Sequence, residues 1–273
     1  MGNRVGANDL CGRRARWGRL TGGVVGLLLA VGMLAPPAHA EAVSPPCSAL
    51  VAHRGGAAYP GVTEGSLGAI RRSVDDLGVR AFEVDIRTTA SDTIYVMHDD
   101  TVDRTTSGTG AVADMTSAEM GSLRLDDGQR IPTLANIITL VHARPDVHVV
   151  LHVKSMTKRS WKRMTQRIRT YGVQSQVTLM GRQGTVTRAH ATFRRVDTVL
   201  LSPTPIVAEV GAADAVAIPQ SLVTPENVAA NHANALDYWT FSPASEQWSS
   251  LAGAGVDIML INDVEAYLAV CTP

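Results

Sequence analysis

Cysteine is scarce in this chain, three residues in 273, and no apolar stretch is long enough to cross a bilayer comfortably. The uncharged run from Gly22 to Ala35 follows Arg13, Arg14, Arg16 and Arg19 and precedes Pro36, Pro37 and Ala38-His39-Ala40. A basic head, a short hydrophobic segment and a small-x-small end are the pattern of a secretory signal, here expected to be removed after Ala40 and to leave no stable membrane anchor. Arg13-Arg14 hints at twin-arginine export, while Ala15-Arg16-Trp17 fits that route poorly, so both export routes stay open. Excess positive charge is missing too. Without Arg4, Arg13, Arg14, Arg16, Arg19 and Asp9, the twenty-five basic and twenty-five acidic residues become twenty and twenty-four, a net of −4. That balance invites neither nucleic acid nor an anionic membrane. Internal repeats and low-complexity tracts are also absent.

What remains, residues 41–273, is expected to be one domain of an extracytoplasmic protein. An apolar fraction of 45% with 18% charged residues suits a sizeable core. Cys11 leaves with the signal, so Cys47 and Cys271 are the two cysteines of the mature chain. Two cysteines in a secreted chain suggest one disulfide, which can form only if the fold brings its ends together.

Short apolar runs alternate with segments of helical period. Strands are expected at Ser48 to His53, Ala81 to Ile86, His148 to Val153, Val177 to Met180, Thr198 to Leu201, Ala215 to Ile218, Leu236 to Phe241 and Asp257 to Ile261. Helices are expected at Glu64 to Leu77, Thr133 to Val141 and Ser160 to Tyr171, and another opens at Ser242-Pro243, read as an N-cap followed by proline. Thr93 to Met97 is also strand-like. Only Thr88 to Asp92 separate it from the strand before, too few residues for a parallel crossover, so it must turn back antiparallel. Eight parallel strands remain, and in about 230 residues they predict a (β/α)8 TIM barrel with an antiparallel excursion after strand 2. An open doubly wound sheet would carry a Gly-rich dinucleotide turn after its first strand, and none is present.

In such a barrel the chemistry gathers at the C-terminal strand ends. His53 and Arg54 follow strand one, Glu83 and Asp85 lie on strand two, and His152 and Lys154 end strand three. Residues two apart on a strand share a face, so Glu83 and Asp85 would crowd two carboxylates into the interior, where a divalent metal relieves their repulsion. Hard oxygen ligands favour Ca2+ or Mg2+. His53 and His98 can act as an acid-base pair, and Arg54 and Lys154 can hold an anionic group. Taken together these groups suit phosphoryl chemistry. Thr116-Ser117-Ala118-Glu119 reads as a capping box, and His142, His190 and His232 receive no role. Trp239 either lines a pocket or packs a strand end.

The stretches "VAHRGG", "FEVDIRTTASDTIYVMHDDTVDRTTSGTG" and "IPTL" resemble, in that order, the glycerophosphodiester phosphodiesterase family of phospholipase C-like phosphodiesterase barrels. "VLHVKS", "LDYWTFSP" and "GVDIMLIND" are weaker versions of its third, seventh and eighth strands. The resemblance implies a metal-dependent barrel that hydrolyses a small-molecule glycerophosphodiester to an alcohol and sn-glycerol 3-phosphate. His53 and His98 would then be catalytic, Arg54 and Lys154 would hold phosphate, and Glu83 and Asp85 would hold metal. Two departures stand out. Thr63-Glu64-Gly65-Ser66 replaces Pro-Glu-Asn-Thr, which keeps Glu64 in a supporting place and loses an asparagine. His152 replaces a metal-binding glutamate, which opens the site to Mn2+ or Zn2+. A sphingomyelinase D-like phospholipase, sharing the His-Arg, Glu-x-Asp and His-Asp elements, and a non-catalytic barrel that binds a phosphorylated polyol are the alternatives.

Overall fold

The computed structural model describes residues 47–205 and 213–271; the expected signal segment lies outside them. Among the described residues there are nine strands: β1 (Ala49–Ala52), β2 (Ala81–Thr88), β3 (Ile94–Val96), β4 (His148–Val153), β5 (Val177–Gly181), β6 (Asp197–Leu201), β7 (Ala215–Pro219), β8 (Asp237–Phe241) and β9 (Ile258–Ile261). Their order is β1-β9-β8-β7-β6-β5-β4-β2-β3, and an added β1–β2 pairing closes the eight parallel strands into a barrel. β2 does two jobs along its length. Phe82 near its start pairs with Ala52 of β1, while Ile86, Arg87 and Thr88 at its end pair antiparallel with Val96, Tyr95 and Ile94 of β3. The excursion inferred from the short Thr88–Asp92 link is therefore a hairpin on the barrel rim.

Strand parity divides the core in two. Ala81, Glu83 and Asp85 face the interior, with Ala49, Val51, Val150, Met180, Val199, Ala217, Trp239, Ile258 and Leu260 forming the apolar inner packing. Phe82, Val84 and Ile86 face outward, where they meet the helices in the larger cluster. All three are fully buried, worth roughly 1.5–3 kcal/mol each. Residues 95–131 hold a small third core of Tyr95, Met97, Val102, Val112, Met120, Leu125 and Ile131, which gives the excursion its own support.

The helices in chain order are α1 (Leu67–Arg71), α2 (Ser117–Ser122), α3 (Leu134–His142), α4 (Lys158–Thr170), α5 (Gln183–Thr192), α6 (Pro225–Ala233), α7 (Trp248–Gly253) and α8 (Val264–Val270). Thr116 and Glu119 form the expected capping box at α2. Two expectations need correction. The helix expected from Glu64 begins at Leu67, because Gly65 is left-handed and Ser66 caps the helix by accepting from Ala69 N–H; beyond Arg71 it widens into a looser turn, Arg72–Asp76. Ser242 is not an N-cap. It adopts a φ of 51°, and the next helical turn starts after Ala244, whose N–H donates to Gln247 Oε1. Between β6 and β7 only residues 202–205 and 213–214 are described. The two ends of the described barrel do meet: Cys47 and Cys271 form a disulfide with Cα atoms 5.7 Å apart.

Candidate active site

The turn after β1 sets the geometry. Arg54, Gly55 and Gly56 all have positive φ, 52°, 74° and 109°. A Cβ on Gly56 would come within 2.1 Å of the Tyr59 ring, and one on Gly55 within 2.7 Å of Ile70 Cγ1, so only glycine lets the chain reverse this tightly. The reversal aims the Arg54 N–H at Glu83 Oε2, 3.0 Å away. It also places the guanidinium against both Glu64 oxygens, at 2.9 and 3.0 Å. Both bonds come from Nη1, so Glu64 anchors the guanidinium by a single nitrogen.

Inside the rim, Glu83 is fully buried and Asp85 is 2% exposed. His152 Nδ1 lies 2.9 Å from Asp85 Oδ1 and 3.8 Å from Glu83 Oε1, and Lys154 Nζ lies 3.2 Å from Asp85 Oδ1. Burial and then the Asp85 charge push Glu83 well above the usual carboxylate range. Burial pushes Asp85 up as well, but the His152 ring and the Lys154 ammonium outweigh it and hold this carboxyl below its ordinary value. One site thus contains one carboxyl that resists ionising and one that favours it. Burial also lowers His152, keeping its ring neutral with a lone pair to offer.

Ligand atoms of Glu83, Asp85 and His152 lie within 4.8 Å of one another. Glu83 Oε1 and both Asp85 carboxylate oxygens are buried without a hydrogen bond; the contacts of His152 and Lys154 with Asp85 Oδ1 have ion-pair distances without hydrogen-bond geometry. Such orphaned oxygens are costly unless a proton or cation satisfies them. Two carboxylates and a neutral imidazole suit a divalent ion.

Two histidines flank the cluster. His53, on the turn after β1, sets Nδ1 2.7 Å from Asn262 Oδ1 and 3.1 Å from Ser242 Oγ, with Nε2 3.8 Å from Glu83 Oε2. An amide oxygen accepts, so Nδ1 carries the proton and Nε2 is left with its lone pair. Burial, followed by the nearby Arg54 charge, pushes the ring down to about 4. His98 follows β3 and is positioned by Asp99, whose Oδ1 accepts from Nδ1 at 2.6 Å. Asp99 Oδ2 accepts from Arg104 Nε at 2.5 Å, and Arg104 also donates to Glu64 Oε1 at 2.6 Å. One hydrogen-bonded chain of side chains therefore runs from His98 through Asp99, Arg104 and Glu64 to Arg54. A cleft lined by Arg54, Glu64, Asp85 and His98 opens over it.

Most of the expected residues thus gather at one rim, while Trp239 sits 4% exposed among the inner packing side chains. His142 packs edge-on against Tyr171, His190 contacts Thr198, and His232 pairs with Asp257. Sequence pattern assigns no site role to Asn262, Asp99 or Arg104, and marks Ser242 only as an N-cap. Asn262 had a signal, since Ile258, Leu260 and Asn262 share one parity and hence the interior.

The family model for the glycerophosphoryl diester phosphodiesterase family matches residues 53–249. A glycerophosphodiester phosphodiesterase of Caldanaerobacter subterraneus is 35% identical over 113 residues, 39% of this chain and 45% of that protein. Glycerophosphodiester phosphodiesterase 1 of Mus musculus is 38% identical over 98 residues, 33% of this chain and 29% of that protein. The matched stretches thus span less than half the length of these curated relatives. Among solved structures, a putative glycerophosphodiester phosphodiesterase from Galdieria sulphuraria superimposes with a TM-score of 0.74 at 18% identity, over 82% of this chain and 98% of that one. An Oleispira antarctica phosphodiesterase in complex with the product sn-glycerol-3-phosphate gives 0.70 at 16% identity, over 82% and 96%. With its family match running from His53, through the carboxylate pair and the rim hairpin, to α7, this chain belongs to the glycerophosphoryl diester phosphodiesterase family.

Proposed function

We propose that this chain is an exported phosphodiesterase that hydrolyses small glycerophosphodiesters to an alcohol and sn-glycerol 3-phosphate, using His53 and His98 for proton transfer beside one divalent metal ion. The observation that carries this reading is the shared rim: Asp85, Arg54 and His98 line one cleft, and His53 stands 3.8 Å from Glu83, on the same strand as Asp85. The product named for the Oleispira antarctica structure agrees with the substrate class. Export agrees with the Cys47–Cys271 disulfide. Among the described residues no helix is long and apolar enough to cross a membrane.

Glu83, Asp85 and His152 would hold the metal, with Ca2+ or Mg2+ favoured by the oxygens and Mn2+ or Zn2+ by the imidazole. When bound, the ion supplies positive charge against the phosphoryl oxygens. The chain's own groups do the rest. Arg54, held by Glu64, presents its guanidinium to phosphate, and Lys154 adds a point charge on the other side. His53, neutral at pH 7, takes a proton at Nε2 from the attacking hydroxyl, either water or the neighbouring glycerol 2-hydroxyl. As the new O–P bond forms and the bond from phosphorus to the alcohol oxygen breaks, His98 gives that oxygen a proton. If the glycerol hydroxyl attacks, a cyclic phosphate forms first and water then opens it, with the two histidines exchanging roles.

A change of leaving group tests the two assignments separately. With a p-nitrophenyl phosphodiester, whose phenolate departs without a proton, His98→Ala should recover most of its activity while His53→Ala should stay depressed by about 10²–10⁴-fold. Equal losses with both leaving groups would remove the acid role from His98.

A further inference from the structure

The net charge conceals a segregation. Residues 147–196 contain eleven Lys and Arg and no Asp or Glu, so every one of the chain's twenty-five carboxylates lies elsewhere. Lys154 belongs to the candidate site, and the fold concentrates most of the other cations on one face. α4 buries Ser160, Trp161, Met164, Thr165 and Ile168, which leaves Lys158, Arg159, Lys162, Arg163 and Arg169 exposed. At 3.6 residues per turn these five occupy the side of the helix opposite the buried stripe, along about 17 Å of axis.

α5 and the loop after it extend the same face. Arg188 of α5 lies over the Trp161 ring at 4.5 Å, and Arg169 sits over Phe193 at 5.5 Å. The two helices are therefore neighbours, and Arg194 and Arg195 just beyond α5 are exposed. Asp92 is the one carboxylate that meets α4 among the described contacts, 3.5 Å from Arg159. Arg163 donates to the Ser91 and Asp92 carbonyls, so the basic face abuts the hairpin that carries His98.

We infer that the α4–α5 face docks the protein on the surface of an anionic phospholipid bilayer. Charge complementarity makes the case: a cluster of Lys and Arg with almost no carboxylate opposing it is attracted to anionic head groups. The strongly acidic remainder would orient the molecule with this face inward. Among the described residues Val270, 53% exposed, is the one large apolar side chain left to solvent, so docking would be peripheral and salt-sensitive, with no apolar insertion. A single-stranded nucleic acid fits less well. Binding it would call for exposed rings between the cations, whereas Trp161 and Phe193 are buried. The inference does not depend on the proposed reaction.

Co-sedimentation of the disulfide-intact chain with vesicles tests it. Vesicles of phosphatidylcholine mixed with phosphatidylglycerol should pull the protein down at low salt and release it as salt is added, and pure phosphatidylcholine should not bind. Each cation removed should weaken the partition by roughly fivefold, so Lys158→Gln/Lys162→Gln/Arg194→Gln should bind on the order of a hundredfold less. Arg71→Gln/Arg130→Gln, which neutralises exposed cations elsewhere, should bind as well as wild type, and circular dichroism would confirm that both variants fold. Failure of the wild type to bind anionic vesicles, binding to soluble polyphosphate or single-stranded DNA in place of vesicles, or equal losses in the two variants would overturn the inference.

Discussion

At position 152 a neutral imidazole stands 2.9 Å from Asp85 Oδ1, where the resemblance to the family would place a glutamate. In the proposed metal site the exchange would remove a negative charge and a hard oxygen, which would weaken the grip on Ca2+ and Mg2+ and favour borderline ions. Turnover after chelation should therefore recover best with Mn2+ or Zn2+. His152→Glu should restore preference for Ca2+ or Mg2+ and lower the concentration of either ion needed for half-activation, on the order of tenfold. A metal titration of the two proteins checks this, and an unchanged preference would show that His152 does not touch the ion. The exchange was legible because it changes the chemistry of one position inside a recognisable stretch. Asn262 and Ser242 were harder to see, since their partner His53 is 209 and 189 residues away in sequence and only barrel closure joins them. Ser242 was also misread for a local reason: Ser-Pro ahead of an apolar segment is a good helix start, yet a φ of 51° turns this serine into a bend that aims its hydroxyl at His53.

The hairpin of β2 and β3 is the element that brings His98 over the rim, and side chains beyond its own strands secure it. Arg104 ties Asp99 to Glu64, itself forty residues before that arginine, and the small core around Met97, Val102 and Leu125 supports the loop. The hydrogen bond from Arg104 holds the Asp99 carboxyl down to about 2. A carboxyl depressed on folding stabilises the fold most above its unfolded value, about 3.9, and loses that contribution as pH falls through its folded value. Asp99 should thus contribute fully above about pH 5 and progressively less toward about pH 2. Asp99→Asn should be less stable than wild type at neutral pH, and the gap should narrow as acid is added; denaturant unfolding at several pH values measures it, and a gap independent of pH would refute the role. The hairpin itself was readable from chain length, because Thr88–Asp92 cannot hold a crossover. Its bracing was not, because ion pairs among loop side chains leave no periodic mark in a sequence.

At the scale of the molecule, period-two alternation decides most of what can be read. In β2, Phe82, Val84 and Ile86 face the helices while Glu83 and Asp85 face inward, so the same five residues announce both the barrel wall and the charge inside it. Closure then does what no local segment can: it joins β1 to β2 and β9 and brings Cys47 to Cys271. Average charge was less informative than its distribution. A net of −4 argues against an anionic membrane, yet the acid-free run from 147 to 196 becomes one basic face only when α4 and α5 pack side by side. The central claim is that the buried carboxylates, His152 and the two histidines form a single metal-dependent phosphodiesterase site. The most direct measurement is release of sn-glycerol 3-phosphate from glycerophosphocholine by the purified chain, after chelation and then with Ca2+, Mg2+, Mn2+ or Zn2+ restored separately, alongside His53→Ala and Glu83→Ala. Turnover that requires an added divalent ion and disappears in both variants is the expected result. A folded protein inactive with every ion, or one whose activity survives chelation and Glu83→Ala, would contradict it.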